Sequence, residues 1–183
     1  TMNDVREVMI TGDSGLLSVG LENERPVYEP SRHRLSWPNG AVGYAFSAEE
    51  PNRLRGPQFD AAWTDEIAAW DEDSESWDML QFGLRLGEHP RVMATTTPRP
   101  VKLIKRLLED ETCEKTRGGS VMNAANLAPG FLAAMQAQYG SSELGRQELE
   151  GELVEDLDGA FATLETLRAE GYRIVLINSN PAT

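Results

Sequence analysis

The residues best suited to chemistry in this 183-residue chain are an acidic pair, Asp65-Glu66, and a run of threonines, Thr95-Thr96-Thr97. Asp65-Glu66 closes the short apolar stretch Phe59 to Trp63 within RLRGPQFDAAWTDE. A buried strand ending in two acids delivers both carboxylates to the carboxyl edge of a sheet, the rim where α/β folds bind ligands. At such a rim a carboxylate can hold Mg²⁺ through water, or orient and polarise an attacking water. Taken alone, the pattern is better explained by a strand followed by a helix, whose positive end favours acids in its first turn. The threonines end a second short strand in RVMATTTPRP and offer hydroxyls able to sense a phosphate or bind the polarised water. Alone, they too are better explained as a β-branched strand end closed by prolines. Spacing links the two clusters, because adjacent strands joined by one helix would bring both to a single rim, half of a nucleotide-hydrolysis site.

The elements that must position them follow from hydrophobic spacing. Trp70, Trp77, Leu80 and Leu84 recur at helical intervals, predicting a helix within Ile67 to Leu86 that joins the two strands. Asp71-Glu72-Asp73 among them is expected to be a solvated face or a helix start. Pro38-Asn39-Gly40 between two β-capable runs predicts a hairpin over 33–47, with positive φ acceptable at both Asn39 and Gly40. Ser47 to Pro51 reads as a turn into a polar loop, Asn52 to Pro57. Val101 to Leu108 reads as an amphipathic helix burying Val101, Ile104, Leu107 and Leu108. Two further helices are expected over Asn126 to Gly140 and Ser142 to Leu153, the second capped by Ser142. Val5 to Ile10 opens the chain on a core element. Strands alternating with helices indicate an α/β layered fold with a mainly parallel sheet.

Composition narrows the function classes. Hydrophobic residues at 40% and charged residues at 26% suit a soluble globular chain, not a fibrous or wholly disordered one. Lys and Arg number 17 against 30 Asp and Glu, a formal charge of −13 that repels a phosphate backbone and argues against a passive DNA coat. Contact with DNA through a small local patch stays open. The single cysteine, Cys113, lies among acids that make a poor nucleophile of a thiol. With His33 and His89 as the only histidines, a Cys/His zinc site is excluded. No apolar run is long enough to span a bilayer and no secretory signal opens the chain, so a reducing cytoplasm is expected.

The segments RPVYEPSRHRLSWPNGAVGYAFSAEEPNRLRGPQFDAAWTDEIAAW, ATTTPRP, and TRGGSVMNAANLAPGFL through LGRQELEGELVED occur in order over residues 2 to 157. Together they resemble the large subunit of tailed-phage terminases, the ATP-driven motor that packages viral DNA into capsids. The resemblance implies an incomplete P-loop NTPase-like (ASCE) α/β domain over residues 1–157. It makes Asp65 the Walker B aspartate, which holds Mg²⁺, and Glu66 the catalytic glutamate. Thr95, Thr96 and Thr97 would form the coupling motif at the nucleotide. Arg55, in Leu54-Arg55-Gly56, stands where some members place an arginine finger, or it is an ordinary loop arginine. Mg²⁺ and ATP are the implied cofactors. The implied partners are double-stranded DNA, the portal, the small terminase subunit and further copies arranged as a ring, in the host cytoplasm.

Two departures accompany the match. No G-x-x-x-x-G-K-[ST] pattern occurs, and no lysine precedes Lys102. The first strand with its phosphate loop is therefore expected to be missing, as is the nuclease domain that normally follows, leaving a motor fragment inactive by itself or a non-catalytic remnant. Residues 158–183 form a second expected region. Within it AFATLETLRAEGYRIVLINSNPAT, residues 160–183, resembles the opening helix–strand unit of the carbamoyl phosphate synthase large chain. A fusion, or a fragment of that kind of ligase, is the alternative this tail raises.

Overall fold

The computed structural model describes residues 1–70 and 75–154. The chain divides into two compact units. One holds Thr1–Thr97 and Val101–Cys113; the other holds, among the described residues, Pro98–Pro100 and 114–154. The boundary expected at 157–158 and the helix and strand expected beyond it lie outside the described residues, as does Asp71-Glu72-Asp73.

The first unit opens on a helical turn, Met2–Asp4 (α1), that widens into a π-helical segment, Val5–Ile10. Of that apolar stretch it is Ile10 that enters the core, at 1% exposure, whereas Val8 stays on the surface. Strands Val27–Glu29 (β1), Arg34–Ser36 (β2) and Val42–Tyr44 (β3) follow as an antiparallel meander. The expected hairpin is present, with Ser36 opposite Val42, but its turn chemistry differs from the expectation. Gly40 has φ +89, while Asn39 keeps negative φ. The Gly40 amide donates to the Trp37 carbonyl at 3.0 Å and the Trp37 amide to that of Ala41 at 2.9 Å. Pro38 fixes φ at the first turn position, so the loop is a three-residue turn closed by one left-handed glycine.

The segment expected as a polar loop after Pro51 contains a 3₁₀ turn, Pro51–Leu54, which buries Leu54. Strand Ala61–Thr64 (β4) pairs in parallel with Arg91–Ala94 (β5). The connection contains helix Glu75–Gly83 (α2), as parallel strands require a crossover. Thus the helix predicted from Ile67 is two elements: a 3₁₀ turn at Ile67–Ala69 and α2. Trp77 and Leu80 are buried as the spacing required. Leu84 instead forms a bridge with Phe59 beyond the helix end. The parallel part comprises two strands among the described residues, and the three-stranded sheet is antiparallel. The fold is mixed α/β with a parallel pair.

Helix Lys102–Glu109 (α3) packs on the Ile67–Ala69 turn and buries Leu103 and Ile104. The predicted face was rotated: Leu108 is 47% exposed, and Leu103 takes its place. The core of this unit joins these two residues to Ile10, Leu35, Leu54, Ile67, Ala68, Trp77 and Leu80.

The second unit contains a 3₁₀ segment, Ser120–Asn126, then helices Phe131–Tyr139 (α4) and Glu143–Glu150 (α5). The single long helix expected from Asn126 is interrupted, with Gly130 at φ +82 directly before α4. Ser142 caps α5 as predicted, its hydroxyl accepting the Gly145 amide at 3.0 Å. Arg117 ties the start of this unit to the end of α5, donating to the Glu150 carbonyl at 2.9 Å and the Glu152 carboxylate at 3.2 Å.

Candidate functional site

Parallel pairing in step is what builds the site. Thr64, the last residue of β4, is the register partner of Ala94, the last residue of β5. Both chains therefore leave the sheet at the same end and level, and the next residues, Asp65 and Thr95, emerge side by side. The Thr95 amide continues the ladder to the Thr64 carbonyl at 3.0 Å, and the Ile67 amide reaches the Thr95 carbonyl at 3.3 Å. Buried Thr64 adds a cross-strand bond from its hydroxyl to the Met93 carbonyl at 3.3 Å.

The side chains then interlock. The Thr95 hydroxyl donates to Asp65 Oδ1. The Thr97 amide donates to Glu66 Oε2 at 3.3 Å. Thr96 acts between them, its hydroxyl accepting the Ala68 amide at 3.1 Å and donating to the Thr97 carbonyl at 3.0 Å. All five residues singled out at the two strand ends thus lie on one rim. The explanation by a helix N-terminus does not fit them. Glu66 has φ 49 and ψ 46, and the element it precedes is a single 3₁₀ turn of three residues.

Left-handed backbone at a non-glycine residue costs about 1–2 kcal/mol and concentrates at functional sites. At Glu66 it lets the chain reverse sharply, so that Ile67 and Ala68 turn inward to the core while the carboxylate stays exposed. Trp70 completes the clasp by donating its indole N–H to the Asp65 carbonyl at 3.1 Å. Spacing alone puts Trp70 on a helix face. Its role as a donor to the acidic turn, like that of the Ala68 amide, depends on a backbone reversal that no periodicity encodes.

The donor set is all oxygen: two carboxylates and three hydroxyls. Hard oxygen ligands suit Mg²⁺, which takes one or two carboxylates and completes its shell with water and substrate phosphate. Among the described residues no group of three or more His, Cys, Asp or Glu is placed to hold a metal ion. The oxygens of this rim are of the kind that Mg²⁺ takes.

Arg55 is not joined to this cluster by a hydrogen bond. It follows the Pro51–Leu54 turn, and its guanidinium donates to Asn52 at 2.9 Å and Glu75 at 3.4 Å. Its side chain is 58% exposed. No helix among the described residues is long and apolar enough to cross a membrane.

A family model described as terminase large subunit, T4likevirus-type, N-terminal, matches residues 1–168. No curated protein and no solved structure matches the chain. Nothing among the matches supports the carbamoyl phosphate synthase resemblance of residues 160–183, which lie outside the described residues.

Proposed function

The chain belongs to the terminase large subunit family of DNA-packaging proteins, in its T4-like-virus type N-terminal part, and on that premise we propose that its Asp65–Thr97 rim is the hydrolytic half of a P-loop NTPase-like ATPase site. The observation that carries this reading is the in-step ending of β4 and β5, which sets both carboxylates beside all three threonines.

In the proposed site Asp65 is the Walker B aspartate, the residue that would hold Mg²⁺. Bound Mg²⁺ would supply charge neutralisation at the β- and γ-phosphates of ATP. Glu66 orients and deprotonates the attacking water, and its exposed carboxylate on a fixed left-handed turn suits that task. The Thr97 amide and Thr95 hydroxyl hold the two carboxylates in place. A change at the γ-phosphate felt by either acid is thereby passed to β5 and the chain after it, the expected behaviour of a coupling motif. Arg55 is proposed as a finger for a neighbouring subunit's nucleotide. Its exposed pair with Glu75 is weak enough to exchange for phosphate.

The same site in this chain by itself is proposed to be silent. The amide cradle and lysine that grip the β- and γ-phosphates are not in the sequence. Double-stranded DNA, the portal, the small terminase subunit and a ring of copies are the proposed partners of the motor. The test is a chimera in which residues 1–157 replace the matching segment of a terminase large subunit that carries a phosphate loop. Mg²⁺-dependent ATP hydrolysis is expected, falling at least about 100-fold with Glu66→Gln, the scale of general base catalysis. Turnover insensitive to that substitution overturns the assignment.

A further inference from the structure

We propose that a cleft in the first unit, between the β1–β2 connection, the end of β3 and the Pro51–Leu54 turn, binds a phosphodiester of a polynucleotide backbone through Arg32, His33 and Arg53. The choice of a polynucleotide rests on the DNA-packaging reading; the site itself is separate from Asp65 and Glu66.

The cleft is lined by Ser31, Arg32, His33, Tyr44, Phe46 and Arg53, among others. On a chain with 17 basic against 30 acidic residues, a recess lined by two arginines and a histidine stands out from the background. A −13 surface cannot attract DNA as a whole, so any contact must be made by such a local group.

The recess is also fixed by its backbone. His33 adopts φ 51 and ψ 40, a left-handed conformation that few non-glycine residues take. Both of its backbone groups are tied: the amide donates to the Pro30 carbonyl at 3.2 Å, and its carbonyl accepts the Ala45 amide at 2.8 Å. Phe46 is steadied by an edge-to-face contact with Phe59, ring centroids 5.7 Å apart. Tyr44, 57% exposed, presents a hydroxyl of the kind that commonly bonds phosphate.

The two arginines each rest on one carboxylate, Arg32 on Glu29 at 3.4 Å and Arg53 on Glu50 at 3.0 Å. Both pairs are surface-exposed, and such pairs contribute little. A phosphate can therefore take over the guanidinium forks, whose planar geometry suits two of its oxygens at once. Glu29 and Glu50 act as competitors for the arginines, which gives the proposal a signature of its own.

The experiment is fluorescence anisotropy of the chain with a labelled duplex oligonucleotide over a range of salt concentrations. Wild type is expected to bind. Arg32→Ala/Arg53→Ala should weaken binding at least about tenfold and make the log affinity against log salt slope shallower by about two. The charge-matched control Arg6→Ala/Arg106→Ala should change the slope by less than half as much. Glu29→Gln/Glu50→Gln should tighten binding, and circular dichroism should find all variants folded. No duplex binding by wild type, or equal losses in the test and control pairs, overturns the proposal. Equal affinity for AMP and duplex also overturns it, by showing that the recess takes a free phosphate. None of these readouts depends on ATP turnover, so failure here leaves the chimera experiment to judge the Asp65–Glu66 site separately.

Discussion

The Thr97 amide donates to the Glu66 carboxylate at 3.3 Å across 31 positions of sequence, while Thr95 donates to Asp65 across 30. These two bonds make the ends of β4 and β5 a single unit. A double-mutant cycle with Thr95→Val and Asp65→Ala should return a coupling energy of about 1 kcal/mol in urea unfolding, the ordinary value for one net hydrogen bond. Strictly additive losses would mean that the hydroxyl and the carboxylate do not interact in solution.

Glu66 is held with positive φ, so the identity of the residue there should oppose stability. Glu66→Ala and Glu66→Gly both remove the bond to Thr97, but only glycine relieves the left-handed backbone. Glu66→Gly should be more stable than Glu66→Ala by about 1 kcal/mol. Urea midpoints of the two variants check this, and an alanine variant equal to the glycine one contradicts it. The preference for a strained glutamate over glycine is what a position kept for chemistry predicts.

Both strands of the parallel pair, the connecting helix and the shared rim were legible because short apolar runs ended in chemically distinctive residues. Phe59 to Trp63 led to Asp65, and Arg91 to Thr95 was a strand by composition. The limits of that legibility are physical. The spacing of Trp70 with Trp77 implied one continuous helix, yet the chain between β4 and α2 first spends Glu66 on a reversal and Ile67–Ala69 on a tight turn. Local propensity is outweighed there by two buried contacts, Ile67 and Ala68, and by the side-chain cap from Thr96. Likewise Asn39-Gly40 signalled a hairpin, but Pro38 selected a different turn within it.

That turn makes a specific prediction. Gly40 has φ +89 with open space where a Cβ would stand, so a substitution there tests conformation alone. Gly40→Ala should destabilise the first unit by about 1 kcal/mol, and Gly40→Asn by less, since asparagine tolerates positive φ better. Thermal melts of the two variants give the order; an alanine variant as stable as wild type would show that the hairpin can adopt another turn.

α3 distinguishes the predicted helix face from the observed one. Leu103 is 3% exposed and Leu108 is 47% exposed, although an amphipathic reading paired Leu108 with Ile104. The helix packs on the Ile67–Ala69 turn with Leu103 and Ile104 buried. Leu103→Ala should cost about 2–5 kcal/mol, the range for an emptied core site. Leu108→Ala should stay within about 0.5 kcal/mol of wild type. Equal costs would place the helix in a different rotation.

Nucleotide affinity separates the roles of the two halves of the proposed ATPase site. Carboxylates at a rim repel a triphosphate unless Mg²⁺ intervenes, and Asp65 and Glu66 concentrate two of the 30 acids of a chain at −13 beside one another. The attractive part of such a site is the row of backbone amides and the lysine of a phosphate loop, and the sequence has no such pattern. The chain alone should therefore bind Mg²⁺-ATP more weakly than about 1 mM by calorimetry, a free energy no better than about −4 kcal/mol. It should release no phosphate above background, with or without Glu66→Gln. Micromolar binding, or phosphate release abolished by Glu66→Gln, would show that other residues of this chain grip the triphosphate and that the silent state proposed for it is wrong.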